Sequence, residues 1–241
     1  MPDLSDIITN YFERGYQFRK HEAPRSFRAQ NPKAVFLIHG WGVRAVAMEK
    51  LAHALTDCEF TVFNYDYPSA KRNIEEHSQI FLDLYRRTLR REHITRKVYF
   101  LTHSMGGILL RSAMAKMSEA ECRKIEAIVM LGPPNQGSVL ANLGRNKLVR
   151  AFNASLADMT TDRDSYVRNI PPPPFLPPVG IIAGRFDGKV ALRNTALPDG
   201  QPYQRIIIDC THPGLRDPDN TLSPILKFFS KRFFQDFPVV H

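Results

Sequence analysis

The chain is predicted to adopt an α/β fold built on one mainly parallel sheet, and two observations carry that reading. Six short apolar, β-branched runs recur along it, and stretches with apolar residues three and four positions apart separate them. Strands alternating with helices imply right-handed crossovers and a sheet covered on both faces. The length of 241 residues suits a single domain, taken here as 1–241, with a core large enough to need neither disulfides nor metals.

The first run is Ala34 to Ile38, followed by one apolar helix face in Met48, Leu51, Ala52 and Leu55. The second run, Phe60 to Tyr65, precedes a helix marked by Ile74, Phe81, Leu84, Tyr85 and Leu89. The third, Val98 to Leu101, turns sharply at Ser104 into the next helix, and the fourth is Ile125 to Leu131. The stretch from 136 to 178 is too long for a simple crossover. Leu140, Leu143, Leu148, Phe152, Leu156 and Met159 suggest an amphipathic helix in it, after which Pro171 to Pro174 and Pro177 to Pro178 enforce an extended return. It is expected to be a lid or substrate wall, with a plain covering helix as the alternative. The last two runs are Val179 to Ala183 and Arg205 to Asp209. A closing helix is expected with Ser223 as N-cap and Pro224 at its first position, packing Ile225, Leu226, Phe229 and Phe233 on the sheet. The other reading of that helix is a basic membrane-surface element using Lys227, Lys231 and Arg232.

A net charge of +9 admits nucleic acid, anionic lipid or acidic substrates as partners. The basic residues are scattered, however, and the densest stretch, Arg86 to Arg96, ends a predicted helix, where cations complement the dipole and face water. No aromatic-interleaved basic motif is present, so nucleic acid is not expected as a partner; peripheral contact with an anionic membrane stays open. Cys58, Cys122 and Cys210 are too few and too dispersed for a disulfide framework or a cysteine zinc site. They fit a reducing compartment. Met1 to Asn10 carries acidic residues and no apolar core, and no apolar window of about 18 residues occurs. The expected location is the cytoplasm.

The chemistry centres on Thr102-His-Ser-Met-Gly-Gly107. A serine on a tight strand-to-helix turn presents its hydroxyl at the top of the sheet, and small neighbours let strand and helix crowd together. The match to Gly-x-Ser-x-Gly fails only at Thr102. A serine hydroxyl is a poor nucleophile near neutral pH and needs an imidazole to take its proton and a carboxylate to orient that imidazole. Asp187, in Gly184-Arg-Phe-Asp-Gly188 after the fifth run, and His212, in Cys210-Thr-His-Pro213 after the sixth, lie at the same sheet edge as Ser104. Asp209 is the competing acid, only three residues from His212. Among the histidines, His241 ends the chain, His53, His77 and His93 fall on or at the end of helices, His21 precedes the first clear strand, and His103 should point inward. Backbone donors for an oxyanion are expected from Met105 and from His39-Gly-Trp-Gly42, with Trp41 preferred. Tyr67 to Ser69 could shape the pocket but are left outside the catalytic set.

These pieces, with Tyr67-Pro-Ser69, Leu131-Gly-Pro-Pro-Asn-Gln-Gly-Ser138, Asp187-Gly188 and His212, follow one another in an order that resembles lipase- or esterase-type serine α/β-hydrolases. Pro133 to Ser138 is similar to a segment of bacterial lipase-like proteins and their inositol-deacylase-like relatives. The resemblance implies a compact α/β-hydrolase fold lacking the usual first strands. It implies nucleophile Ser104, acid Asp187, base His212, oxyanion amides from Trp41 and Met105, and no metal or organic cofactor. The expected activity is cleavage of a small ester or lipid substrate through an acyl-enzyme. A thioesterase, amidase or acyltransferase using the same residues, and a catalytically silent binding scaffold, are the alternatives. Acyl length and oligomeric state are not encoded in any of these motifs.

Overall fold

In the computed structural model, which describes residues 15–23, 33–95, 97–146, 153–198 and 200–234, seven strands form one sheet. In chain order they are β1 (Gln17–His21), β2 (Lys33–Ile38), β3 (Phe60–Asp66), β4 (Val98–His103), β5 (Ile125–Leu131), β6 (Val179–Gly184) and β7 (Gln204–Ile208). The spatial order is β1-β3-β2-β4-β5-β6-β7, with β1 antiparallel to β3 and every other pair parallel. The six expected runs are thus β2 to β7, within a residue or two at their ends. β1 is additional. Its sequence, Gln-Phe-Arg-Lys-His, holds one apolar residue, so pattern alone could not reveal it; backbone pairing and Phe18, wedged against Phe36, Phe63, Tyr65 and Phe81, fix it at the edge.

β2 to β6 are buried on both faces, as continuous apolar runs demand. Phe36, Phe63, Phe100, Ile128 and Ile181 point into one core; Val35, Leu37, Leu101, Val129 and Ile182 point into the other. The second of these cores is closed by α1 (Glu49–Asp57) and the C-terminal helix, and the first by α2 (Ile74–Arg91) and α3 (Met105–Met114). α2 begins with a capping box, Asn73 accepting from the Glu76 amide and Glu76 returning to the Asn73 amide.

The C-terminal helix, α4 (Pro218–Lys231), starts six residues before the expected position. Asp217 caps it by accepting from the Asp219 amide, and Pro218, not Pro224, takes the first position; Pro224 is carried inside the helix, where it is buried. The helix packs on the sheet through Ile225, Phe228 and Phe229, while Phe233 is exposed.

The 136–178 stretch is not one amphipathic helix. Its described part is a 3-10 segment, Leu140–Arg145, and two single turns, Ala154–Ala157 and Tyr166–Asn169, followed by the extended proline segment. Leu148 and Phe152 lie outside the described residues, as do Arg96, His241 and Met1 to Asn10. Gly144 lets the 3-10 segment lie directly on the following turn: a Cβ there would stand 2.8 Å from the Ala157 nitrogen. Among the described residues no helix is long and apolar enough to cross a membrane.

Candidate active site

Ser104 sits between β4 and α3 with φ 54° and ψ −127°, a region that side-chain-bearing residues avoid at a cost of about 1–3 kcal/mol. The surrounding glycines explain how the chain tolerates it. A Cβ on Gly106 would stand 2.3 Å from the Ile38 carbonyl oxygen, and one on Gly40 would stand 2.8 Å from the Ser104 Cβ, so α3 and the loop after β2 both press on the turn. Thr102 is accommodated because position 107 is glycine, whose absent Cβ would lie 3.2 Å from Thr102 Oγ1.

Asp187 and His212 meet at the same edge. His212 Nδ1 donates to Asp187 Oδ2 at 2.6 Å, with side chains only 6% and 2% exposed. The other carboxylate oxygen accepts from the amides of Lys189 and Val190, both at 2.9 Å, so the loop after β6 aims the acid. Asp209, the competing acid, is 68% exposed and held by Arg185 at 2.6 Å. The pair rests against Gly132, where a Cβ would be 3.1 Å from Asp187 Oδ2 and 3.3 Å from His212 Nδ1. Ser104 and His212 border one cleft. Among the described residues no hydrogen bond joins the Ser104 hydroxyl to His212.

His103 points inward as expected, and there it touches His212. Its Nε2 donates to the His212 carbonyl at 3.1 Å, and the two rings lie 4.6 Å apart. Burial, helped by the neighbouring His212, drives its pKa well below the ordinary histidine value, so it is a neutral ring with the proton on Nε2. Sequence reasoning missed both Gly132 and this role of His103, since neither lies in a motif with His212.

The loop after β2 is braced from β3. The buried His39 ring stacks on Tyr67 at 4.2 Å, its Nδ1 donates to the Gly40 carbonyl at 2.8 Å, and Tyr67 donates its hydroxyl to the His39 carbonyl at 2.9 Å. Burial lowers the His39 pKa to about 4. Ser69 Oγ accepts from the Gly42 amide at 3.0 Å. Tyr67 and Ser69 therefore position the Gly40-Trp41-Gly42 turn without reaching the cleft. Trp41 borders the cleft, and Met105 opens α3 beside Ser104, where a helix's first amides have no partner within the helix.

The cleft is small, about 60 Å³. Leu140, Leu156 and Met159 from the 136–178 stretch form its apolar wall together with Val190, and Lys189 and Arg216 bring positive charge. Pro133 to Ser138 ties this wall down. The Asn135 side chain donates to the Thr195 carbonyl at 2.8 Å, Ser138 Oγ donates to the Lys189 carbonyl at 2.7 Å, and Gly137, at φ 86°, leaves no room for a Cβ beside the Thr160 carbonyl.

The family model described as serine aminopeptidase, S33, matches residues 29–170. The chain belongs to that family. Within the S33 family match lie Trp41, Ser104 and Met105, whereas Asp187 and His212 fall beyond it and rest on their geometry. Solved structures agree on the fold. A Bacillus licheniformis lipase in its mature form is 17% identical with a TM-score of 0.63, covering 88% of this chain and 97% of that one. Its propeptide form scores 0.67 at 16% identity, over 88% of this chain, which spans only 53% of that longer one. A Rhodococcus esterase scores 0.59 at 14% identity, over 91% and 97%. No curated protein sequence matches the chain. This S33 member is therefore a hydrolase of the α/β-hydrolase type, with the sheet described above as a compact form of that fold.

Proposed function

We propose that the protein hydrolyses carboxylic esters through an acyl-enzyme on Ser104. The observation that carries this reading is the buried 2.6 Å pair of His212 and Asp187, opening on the cleft that Ser104 enters from its strained turn. His212 takes the Ser104 proton as the oxygen attacks the ester carbonyl, and Asp187 holds the imidazole and stabilises its charged form. The amides of Trp41 and Met105 receive the developing oxyanion. The alkoxide leaves with the proton from His212; water, deprotonated by the same histidine, then releases the acid and restores Ser104. Substrate binding draws Ser104 and His212 together, as such hydrogen bonds tighten in the reactive complex.

The cleft favours esters over peptides with a free amino terminus. None of the described residues lining it is Asp or Glu, so an N-terminal ammonium finds no counter-charge, while Lys189 and Arg216 suit a neutral ester and its carboxylate product. The 136–178 stretch serves in this reading as the acyl wall of a single domain. A cytoplasmic setting accords with Cys58, Cys122 and Cys210, all free thiols.

The test is turnover of short and long p-nitrophenyl esters by the wild-type chain and Ser104→Ala, beside a fluorophosphonate label. Loss of turnover and labelling in the variant is expected. Unchanged turnover overturns the assignment, and transfer to added alcohols in preference to water would make the protein an acyltransferase.

A further inference from the structure

Three side chains far apart in sequence converge outside the cleft. Glu49 and His53 lie four residues apart on one face of α1, and His21 ends the edge strand β1 beside them. The three ligand atoms all lie within 4.8 Å of one another. His21 Nε2 stands 3.0 Å from Glu49 Oε2 and His53 Nε2 3.9 Å from the same oxygen. Tetrahedral coordination with bonds of 2.0–2.1 Å puts ligand atoms about 3.3 Å apart, a spacing these two distances bracket.

The carboxylate is oriented for that job. Glu49 Oε1 accepts from the Asn64 side chain at 3.3 Å and faces Arg19 at 3.7 Å, which leaves Oε2 turned toward both imidazoles. Asn64 is itself fixed, buried on β3 and donating to the Ala45 carbonyl at 3.0 Å. His21 Nε2 is buried and makes no hydrogen bond; its 3.0 Å approach to Glu49 has the length of one without the direction. The His21 and His53 rings meet edge to face, with centroids 5.0 Å apart at 76°. Both nitrogens converge on Oε2, and an ion placed between them would satisfy all three.

We propose that His21, Glu49 and His53 bind one divalent transition-metal ion of the zinc type. Two imidazoles and a carboxylate suit zinc and its neighbours in the series, whereas calcium and magnesium require oxygen ligands. His53 is 69% exposed, so the fourth position opens to water. The ion fastens β1 to α1 and takes no part in the reaction at Ser104.

The experiment uses the full chain, without a histidine tag and stripped by chelator, titrated with ZnCl₂ against a chromophoric chelator. One ion per chain is expected, with no competition from Ca²⁺ or Mg²⁺ and an unchanged isotherm in Ser104→Ala. Affinity falls on the order of a hundredfold in His53→Ala, since even groups behind metal ligands carry ten- to hundredfold effects. Glu49→Gln and His21→Ala, checked for folding by circular dichroism, should match it; if either misfolds, the exposed His53 site decides. Absence of stoichiometric zinc uptake by the wild-type chain, or unaltered affinity in His53→Ala, overturns the proposal.

Discussion

Ser104 occupies a backbone region that only tight surroundings can impose, and two glycines separate the cost of that placement from its use. Gly106→Ala drives a methyl group into the Ile38 carbonyl and should lower the melting temperature or prevent folding. Gly40→Ala meets the Ser104 side chain instead, so turnover should be lost with a smaller change in melting temperature; equal melting losses in both variants would contradict this. Asp187→Asn should keep the fold and lower kcat by roughly 10³ to 10⁴-fold, because an amide favours the wrong imidazole tautomer; pre-steady-state kinetics on an activated ester would measure it. That Ser104, Asp187 and His212 gather at one sheet edge was legible in the sequence because each follows a recognisable strand. Gly132 and His103 were not, since their function consists of touching residues about 55 to 110 positions away.

At the scale of elements, strands buried on both faces were legible and elements held from one side were not. β2 to β7 announce themselves as apolar runs, while β1 depends on backbone pairing and one phenylalanine. The start of α4 was misplaced because Ser223-Pro224 and Asp217-Pro218 are equivalent signals, and only packing chooses between them. The 136–178 stretch shows the limit most clearly: its leucines have helical spacing, yet Gly137, Gly144 and the prolines break the chain into short turns. Leu140 borders the cleft, and Val139, Leu140 and Leu143 are exposed. Leu140→Ser combined with Leu143→Ser should raise KM for long-chain esters about fivefold, the effect of losing roughly 1 kcal/mol of apolar contact, and leave short esters unchanged. Chain-length profiles of both proteins decide it, and equal effects on both substrates would remove the acyl-wall assignment.

Across the whole molecule, buried histidines set a limit on acid tolerance. Burial lowers the pKa of His39 and of His77 from 6.5 to about 4. The unfolded chain therefore takes up these protons first as pH falls, and the stability they confer, present above about 6.5, is lost toward about 4. Each shift corresponds to roughly 3 kcal/mol. Asp66, held near 2 by Arg44 and the Ala45 amide against the opposing effect of burial, withdraws its contribution at still lower pH. Thermal melts from pH 7 to 4 should show a steep decline that His77→Gln reduces; a flat profile in the wild-type chain would refute it. The positive charge spread over the surface was visible from composition, but its local balance was not: Arg86 is paired with Glu121 at 2.7 Å.

The chain contains a single tryptophan, and it is Trp41 at the cleft. All indole emission from this chain consequently originates at the cleft that Ser104, the proposed nucleophile, also borders. Acylation, inhibitor entry or displacement of water there can be followed by intrinsic fluorescence without a label, and the molecule carries its own optical reporter of when the cleft is filled.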